Sequence, residues 1–136
     1  LVGALKSHCA EFARQHGMDV TFDATGDLMT VEPEIALCLF RTAQEALANI
    51  AKHAGARQTR VVLSRESGVL ALSISDDGQG FDPLVMALGS GGLGLLSIEE
   101  RARLLHGKVS IDTGPAQGTT VRVTIPPPAH TVSVVT

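Results

Sequence analysis

Apolar positions along the chain change period several times, and each change marks an element. Leu1, Leu5, Cys9 and Phe12 recur at helical spacing, and His16-Gly17 supplies a stop, so the spacing predicts a first helix over residues 1–15. Val20, Phe22 and Ala24 alternate with polar neighbours, the period of a strand buried on one face. Thr25-Gly26-Asp27 reads as a turn. Pro33 suits the first turn of a second helix, expected to run to about His53 and to close at Gly55. Residues 58–65 and 69–75 are β-rich runs parted by Glu66-Ser67-Gly68, a hairpin signal. Helical spacing resumes from Leu95 to His106 and stops at Gly107, and residues 108–113 and 119–125 read as closing strands. The predicted order is α β α β β α β β, an α/β (α+β) two-layer sandwich with helices on one face of a mostly antiparallel sheet.

Composition narrows the class. The 136 residues, 44% hydrophobic and 18% charged, suit one domain with a real core, built mainly from aliphatic residues because only four Phe and no Trp or Tyr are present. A formal charge of −3 argues against broad binding to nucleic acid, though not against an anionic nucleotide held locally. Cys9 and Cys38 form no metal or disulfide pattern, and Cys38, among Ile35, Ala36, Leu37 and Leu39, reads as a small buried hydrophobe. No apolar run approaches the ~20 residues that span a bilayer, so the domain is expected to be soluble and cytoplasmic, whatever anchors a parent protein. Residues 1–128 read as the domain and 129–136, beyond three prolines, as a disordered tail.

Three stretches carry chemistry. On the second helix Glu45, Asn49 and His53 stand four apart, a polar stripe beside apolar Leu39, Ala43, Leu47 and Ile50. Such a stripe is either a solvated face or a ligand site. Mg²⁺ favours oxygen ligands and retains waters, so the Asn49 amide with the Glu45 carboxylate is a plausible protein share, with Lys52 in reach of a phosphate. Next, Asp76 ends a strand and is followed by Gly78 and Gly80. Without a Cβ, these glycines let a base lie against bare backbone while Asp76 accepts a hydrogen bond from an exocyclic amine. An ordinary Asp-Gly turn explains residues 74–81 equally well. Last, Gly89-Ser-Gly91-Gly92-Leu93-Gly94-Leu95 leads into a helix, where free backbone amides attract anions. It is neither a Walker loop nor a dinucleotide fingerprint.

Taken in order, these motifs resemble the GHKL superfamily of histidine kinases, gyrase B subunits, MutL-type repair proteins and a heat-shock chaperone family. Gln44-Glu45-Ala-Leu-Ala-Asn49 with Lys52-His53-Ala54 looks like its N box, Asp76-Asp-Gly78-Gln-Gly80-Phe81 like its G1 box, and Gly92-Leu93-Gly94-Leu95 like its G2 box, while Gly118-Thr119-Thr120 matches its closing strand. Phe40 to Ala54, Leu95 to Lys108, and the mere ten or so residues between Phe81 and Gly91 look most like sensor kinases paired with LuxR/NarL-type response regulators. The resemblance implies a Bergerat ATP-binding fold and the cofactors ATP and Mg²⁺. It assigns adenine to Asp76 with Thr119 nearby, Mg²⁺ to Asn49 with Glu45, and phosphates to Lys52, His53 and the loop Gly92–Gly94. It places the phosphoacceptor His on an upstream dimerisation domain, which His8-Cys9-Ala10-Glu11 does not match, so this chain is expected to be a monomer that does not autophosphorylate alone. Glu45 is the residue expected of this subgroup and serves either as a base or to orient a metal-bound water. A self-contained ATPase, a serine kinase of the anti-sigma type, and a module that has lost its nucleotide are the rival readings.

Overall fold

Alternation along the strands separates a buried face from a polar one. The computed structural model describes residues 1–54, 58–78, 90–113 and 118–127, with backbone alone for 53, 54, 90–96 and 113. These residues form strands β1 (Asp19–Thr25), β2 (Gln58–Glu66), β3 (Val69–Asp76), β4 (Lys108–Thr113) and β5 (Thr119–Ile125), in the sheet order β1-β2-β3-β5-β4. β1 runs parallel to β2, and the other neighbours pair antiparallel. Helices α1 (Val2–His16), α2 (Pro33–Asn49) and α3 (Ser90–Leu104) supply the second layer.

Register aligns the core in rows across the strands. Val61, Ile74 and Val121 form one row, and Leu63, Leu72 and Val123 the next; all six are buried against Leu39, Leu47 and Ile98 of the helices. The opposite face carries Arg60, Ser73, Ser75 and Arg122, with Arg60 3.4 Å from Asp23 of β1. Both cysteines are buried and free, and burial pushes the Cys9 thiol up to about 11, which makes them packing residues. Among the described residues no helix is long and apolar enough to cross a membrane.

Local signals place most boundaries. The two-residue β2–β3 turn has positive φ at both Ser67 (53°) and Gly68 (81°), the handedness that matches strand twist. α1 ends at Gly17 in the left-handed region, and the amides of Gly17 and Met18 both reach the Ala13 carbonyl. α3 ends with the amides of His106 and Gly107 on the carbonyls of Arg103 and Ala102, but here His106 (φ 61°) takes the left-handed position. Gly107 is needed for another reason: a Cβ there would lie 2.8 Å from the Thr124 carbonyl oxygen.

Two expectations need correcting. The second helix does not stay α-helical to His53, because residues Ile50–Ala54 form a π turn. Ile50 is the last large apolar anchor of that helix, and beyond it only alanines remain to hold an α-helical phase. The extra residue in the turn breaks the four-residue stacking between Asn49 and His53. The third helix starts at Ser90, ahead of the expected Leu95, so Gly92, Leu93, Gly94 and Leu95 lie in its first turns rather than in a loop before it. Glycine is a poor helix former by about 1 kcal/mol per residue, but burial of Ile98 and Ala102 further along holds the register. Gly55, Gly80, Phe81 and the tail 129–136 lie outside the described residues.

Candidate functional site

One row of the inward face differs from the rest. At the end of the sheet where β2 begins and β3 ends, Thr59 faces Asp76 and Asp76 faces Thr119. The alternation that buries Val61, Ile74 and Val121 thus carries three polar side chains onto the same face. Beyond this row the Asp77 amide donates to the Gln58 carbonyl (3.2 Å) and the Gln58 amide donates to Asp77 Oδ1 (3.0 Å), which ties off the strand ends.

Asp76 is partly satisfied. Its Oδ1 accepts a 2.7 Å hydrogen bond from the Gly78 amide, whereas Oδ2 is buried with no hydrogen-bond partner among the described residues. Burial pushes its pKa up. The Gly78 amide opposes the rise, the neighbouring Asp77 charge adds to it, and the Thr119 amide opposes it. An unfilled acceptor in a shielded position suits a ligand N–H donor, because that bond replaces hydration already lost. Gly118, just before Thr119, makes the fit possible: its φ is 74°, and a Cβ would collide with the Asp76 carbonyl, so only glycine lets β5 close on β3 here.

A cavity of about 510 Å³ opens at this end, within the range of small-ligand pockets. Val20, Thr59 and Asp76 line it from the helix-covered face, and Arg60, Ser75 and Asp77 from the outer side. Glu45, Asn49 and Lys52 do not line it, so the structure does not bring the two halves of the expected site into one described cavity. Glu45 and Asn49, half-buried, share one α-helical stripe up to the π turn, and exposed Lys52 sits within that turn. Asn49 Nδ2 is also buried without a partner among the described residues. As an N–H donor it suits an acceptor such as a phosphate or water oxygen, while a hydrated Mg²⁺ would draw on the Asn49 amide oxygen and the Glu45 carboxylate one helical turn away; no cluster of three or more acidic, His or Cys ligands exists among the described residues. The side chains of His53, Leu93 and Leu95 lie outside the description, as does Gly80; the backbone of Gly92 lies in the first turn of α3, where unbonded amides favour anions, whereas that of Gly94 lies one turn further in, where the helix uses its own amides.

Sequence reasoning missed Thr59 and Met18. The Thr59 hydroxyl donates to the Met18 sulfur at 3.1 Å, across 41 residues of chain. A polar residue on the inward phase of β2 was the available signal for Thr59; nothing local points to Met18.

Comparison with known proteins gives the family and the fold. The family described as histidine kinase-, DNA gyrase B-, and HSP90-like ATPase matches residues 34–129. The sensor histidine kinase MctS of Rhizobium johnstonii is 36% identical over 131 residues, covering 96% of this chain and 28% of that protein. The signal transduction histidine-protein kinase/phosphatase DegS of Brevibacillus brevis is 34% identical over 126 residues, covering 93% of this chain and 32% of that protein. This chain therefore spans about a third or less of either relative. The fold matches the histidine kinase domain of the Erythrobacter litoralis EL346 blue-light activated histidine kinase with a TM-score of 0.71, at 24% identity over 92% of this chain and 64% of that one. It matches the histidine kinase AdeS of Acinetobacter baumannii at 0.72, with 15% identity over 92% of this chain and 62% of that one. With its family matched over most of its length and its fold matched almost throughout, this chain belongs to the histidine kinase-, DNA gyrase B- and HSP90-like ATPases, a membership that implies ATP as its ligand.

Proposed function

We propose that this chain is the ATP-binding catalytic domain of a sensor histidine kinase of a two-component system, which offers the γ-phosphoryl group of ATP to a phosphoacceptor histidine on an upstream dimerisation domain. The observation that carries the reading is the unfilled Oδ2 of Asp76, a buried acceptor shaped for the exocyclic amine of adenine. Gly78 holds Oδ1 and Thr119 stands opposite on β5, so the orientation of Oδ2 is set before any ligand arrives.

In this reading Asn49 with Glu45 holds Mg²⁺, and the ion, when bound, neutralises charge on the transferring phosphoryl group. Lys52 and His53 hold phosphate oxygens, and free amides at the start of α3, that of Gly92 among them, add donors. Glu45 takes up a proton or orients a metal-bound water. None of this requires a covalent step on the chain itself; its work is positioning and electrostatic stabilisation. His8 is a poor acceptor candidate, since it lies on α1 with its ring against Phe40 at 5.5 Å. The partners in this reading are the upstream domain and a LuxR/NarL-type response regulator, with the fragment itself monomeric.

Calorimetric titration of the purified chain with ATP, with and without Mg²⁺, tests the proposal. We expect saturable one-to-one binding, tighter with Mg²⁺, without sustained phosphate release. Steady hydrolysis would favour a self-contained ATPase. Absence of binding at millimolar nucleotide would leave the inherited fold in another use.

A further inference from the structure

The Thr59 hydroxyl has two acceptors within its neighbourhood and takes the weaker one. Because the Asp77 amide donates to the Gln58 carbonyl opposite it, with the Gln58 amide returned to Asp77 Oδ1, Thr59 and Asp76 form the next, non-hydrogen-bonded pair, in which opposed side chains stand closest, with Cβ atoms about 4.5–5.5 Å apart. A carboxylate oxygen is a far stronger acceptor than a thioether. Yet Thr59 Oγ1 donates to Met18 at 3.1 Å while Asp76 Oδ2 has no partner among the described residues.

We propose that Met18 is a positioning residue for the nucleotide site: by accepting the Thr59 hydroxyl, its sulfur keeps that donor off Asp76 and leaves Oδ2 open to the ligand's amine. The inference rests on the adenine reading of Asp76. Thr59 is 3% exposed, so its hydroxyl has no bulk water to turn to and needs a protein acceptor. As a β-branched residue it is stiff about χ1, and the sulfur holds it in the rotamer whose hydroxyl reaches Met18. Met18 is itself fixed, because it follows the left-handed Gly17 and its amide caps α1 on the Ala13 carbonyl at 3.1 Å. The cap of the first helix therefore sets the hydrogen bond beside the base subsite.

Two readouts test this on the whole chain. One is ATP affinity by calorimetry; the other is the pH midpoint of the Asp76 carboxyl, followed by carbon NMR without nucleotide. Met18→Leu keeps the volume and removes the acceptor. We expect it to weaken ATP binding roughly three- to tenfold, the size of an ordinary hydrogen bond and less than a charge-assisted one, because the hydroxyl only competes with the ligand. It should also lower the carboxyl midpoint, because a hydroxyl donated to the carboxylate favours its charged form. Adding Thr59→Val, which removes the hydroxyl, should restore both. Thr59→Ser, with Met18 intact, frees the hydroxyl rotor and should shift both in the same sense, and it stands in if Met18→Leu does not fold. Unchanged values in Met18→Leu overturn the proposal. A loss that Thr59→Val does not restore overturns it too, since packing would then be the cause. If Asp76→Asn bound ATP as the unaltered chain does, the adenine reading alone would fail, and the nucleotide-free midpoint would still decide the role of Met18.

Discussion

The middle and the end of the sheet's inward face share one geometry and differ in chemistry. In the middle, Leu63, Leu72 and Val123 meet in register and are fully buried. At the end, Thr59, Asp76 and Thr119 meet in the same way, yet one carboxylate oxygen is left unfilled. The middle row stabilises the fold by removing apolar surface from water. The end row gives up stability to keep an acceptor ready, the pattern expected where a binding site is grafted onto a scaffold.

The comparison breaks most completely in the middle. Leu72→Ala should cost about 2–5 kcal/mol, read as a shifted urea midpoint, and should abolish nucleotide binding only by unfolding the domain. At the end, Gly118→Ala forces a Cβ toward the Asp76 carbonyl at positive φ and should cost about 1–3 kcal/mol, with weaker ATP binding in whatever remains folded. A variant as stable as the unaltered chain would show that β5 can close without glycine.

Asp76→Asn separates the two rows most sharply. ATP binding should weaken about 10- to 150-fold by calorimetry, the span of one charge-assisted hydrogen bond. The melting temperature at neutral pH should rise by roughly a couple of degrees, because a neutral amide escapes the burial penalty of the carboxylate. The sign follows from linkage: the folded pKa lies above the unfolded one, so the folded state binds the extra proton. The unaltered chain should then lose stability as pH rises from about the ordinary carboxylate range through the raised value, and Asp76→Asn should remove that slope. ATP affinity runs the other way, falling on acidification at a higher pH than an ordinary aspartate would give. The smallest effect concerns neither row: His106→Gly relieves a left-handed non-glycine residue and should add up to about 1 kcal/mol in thermal melts, with binding unchanged.

What the sequence made legible was local. Alternation in 58–65 and 69–75 and the Ser67-Gly68 turn sufficed for the hairpin, and Asp76 stood out as a carboxylate at a strand end before alternate glycines. The start of α3 was misjudged because glycine propensity was weighed without the burial of Ile98 and Ala102 that overrides it. The π turn after Asn49 left no mark on a run of ordinary helix formers. Met18 and Thr59, 41 residues apart, meet only because β1 pairs in parallel with β2, a relation no window along the chain contains.

That parallel pairing also orders assembly. β2 and β3 close through a two-residue turn, whereas β1 can pair with β2 only after α2 has crossed between them. Hairpins of this kind form in about 1–10 μs, and contacts between distant segments wait on loop closure. The unfilled carboxylate therefore belongs to the part of the sheet that zips first, and Met18 joins it late. During synthesis β1 emerges before Asp76, and the carboxylate gains its last neighbour, Thr119, only when β5 follows.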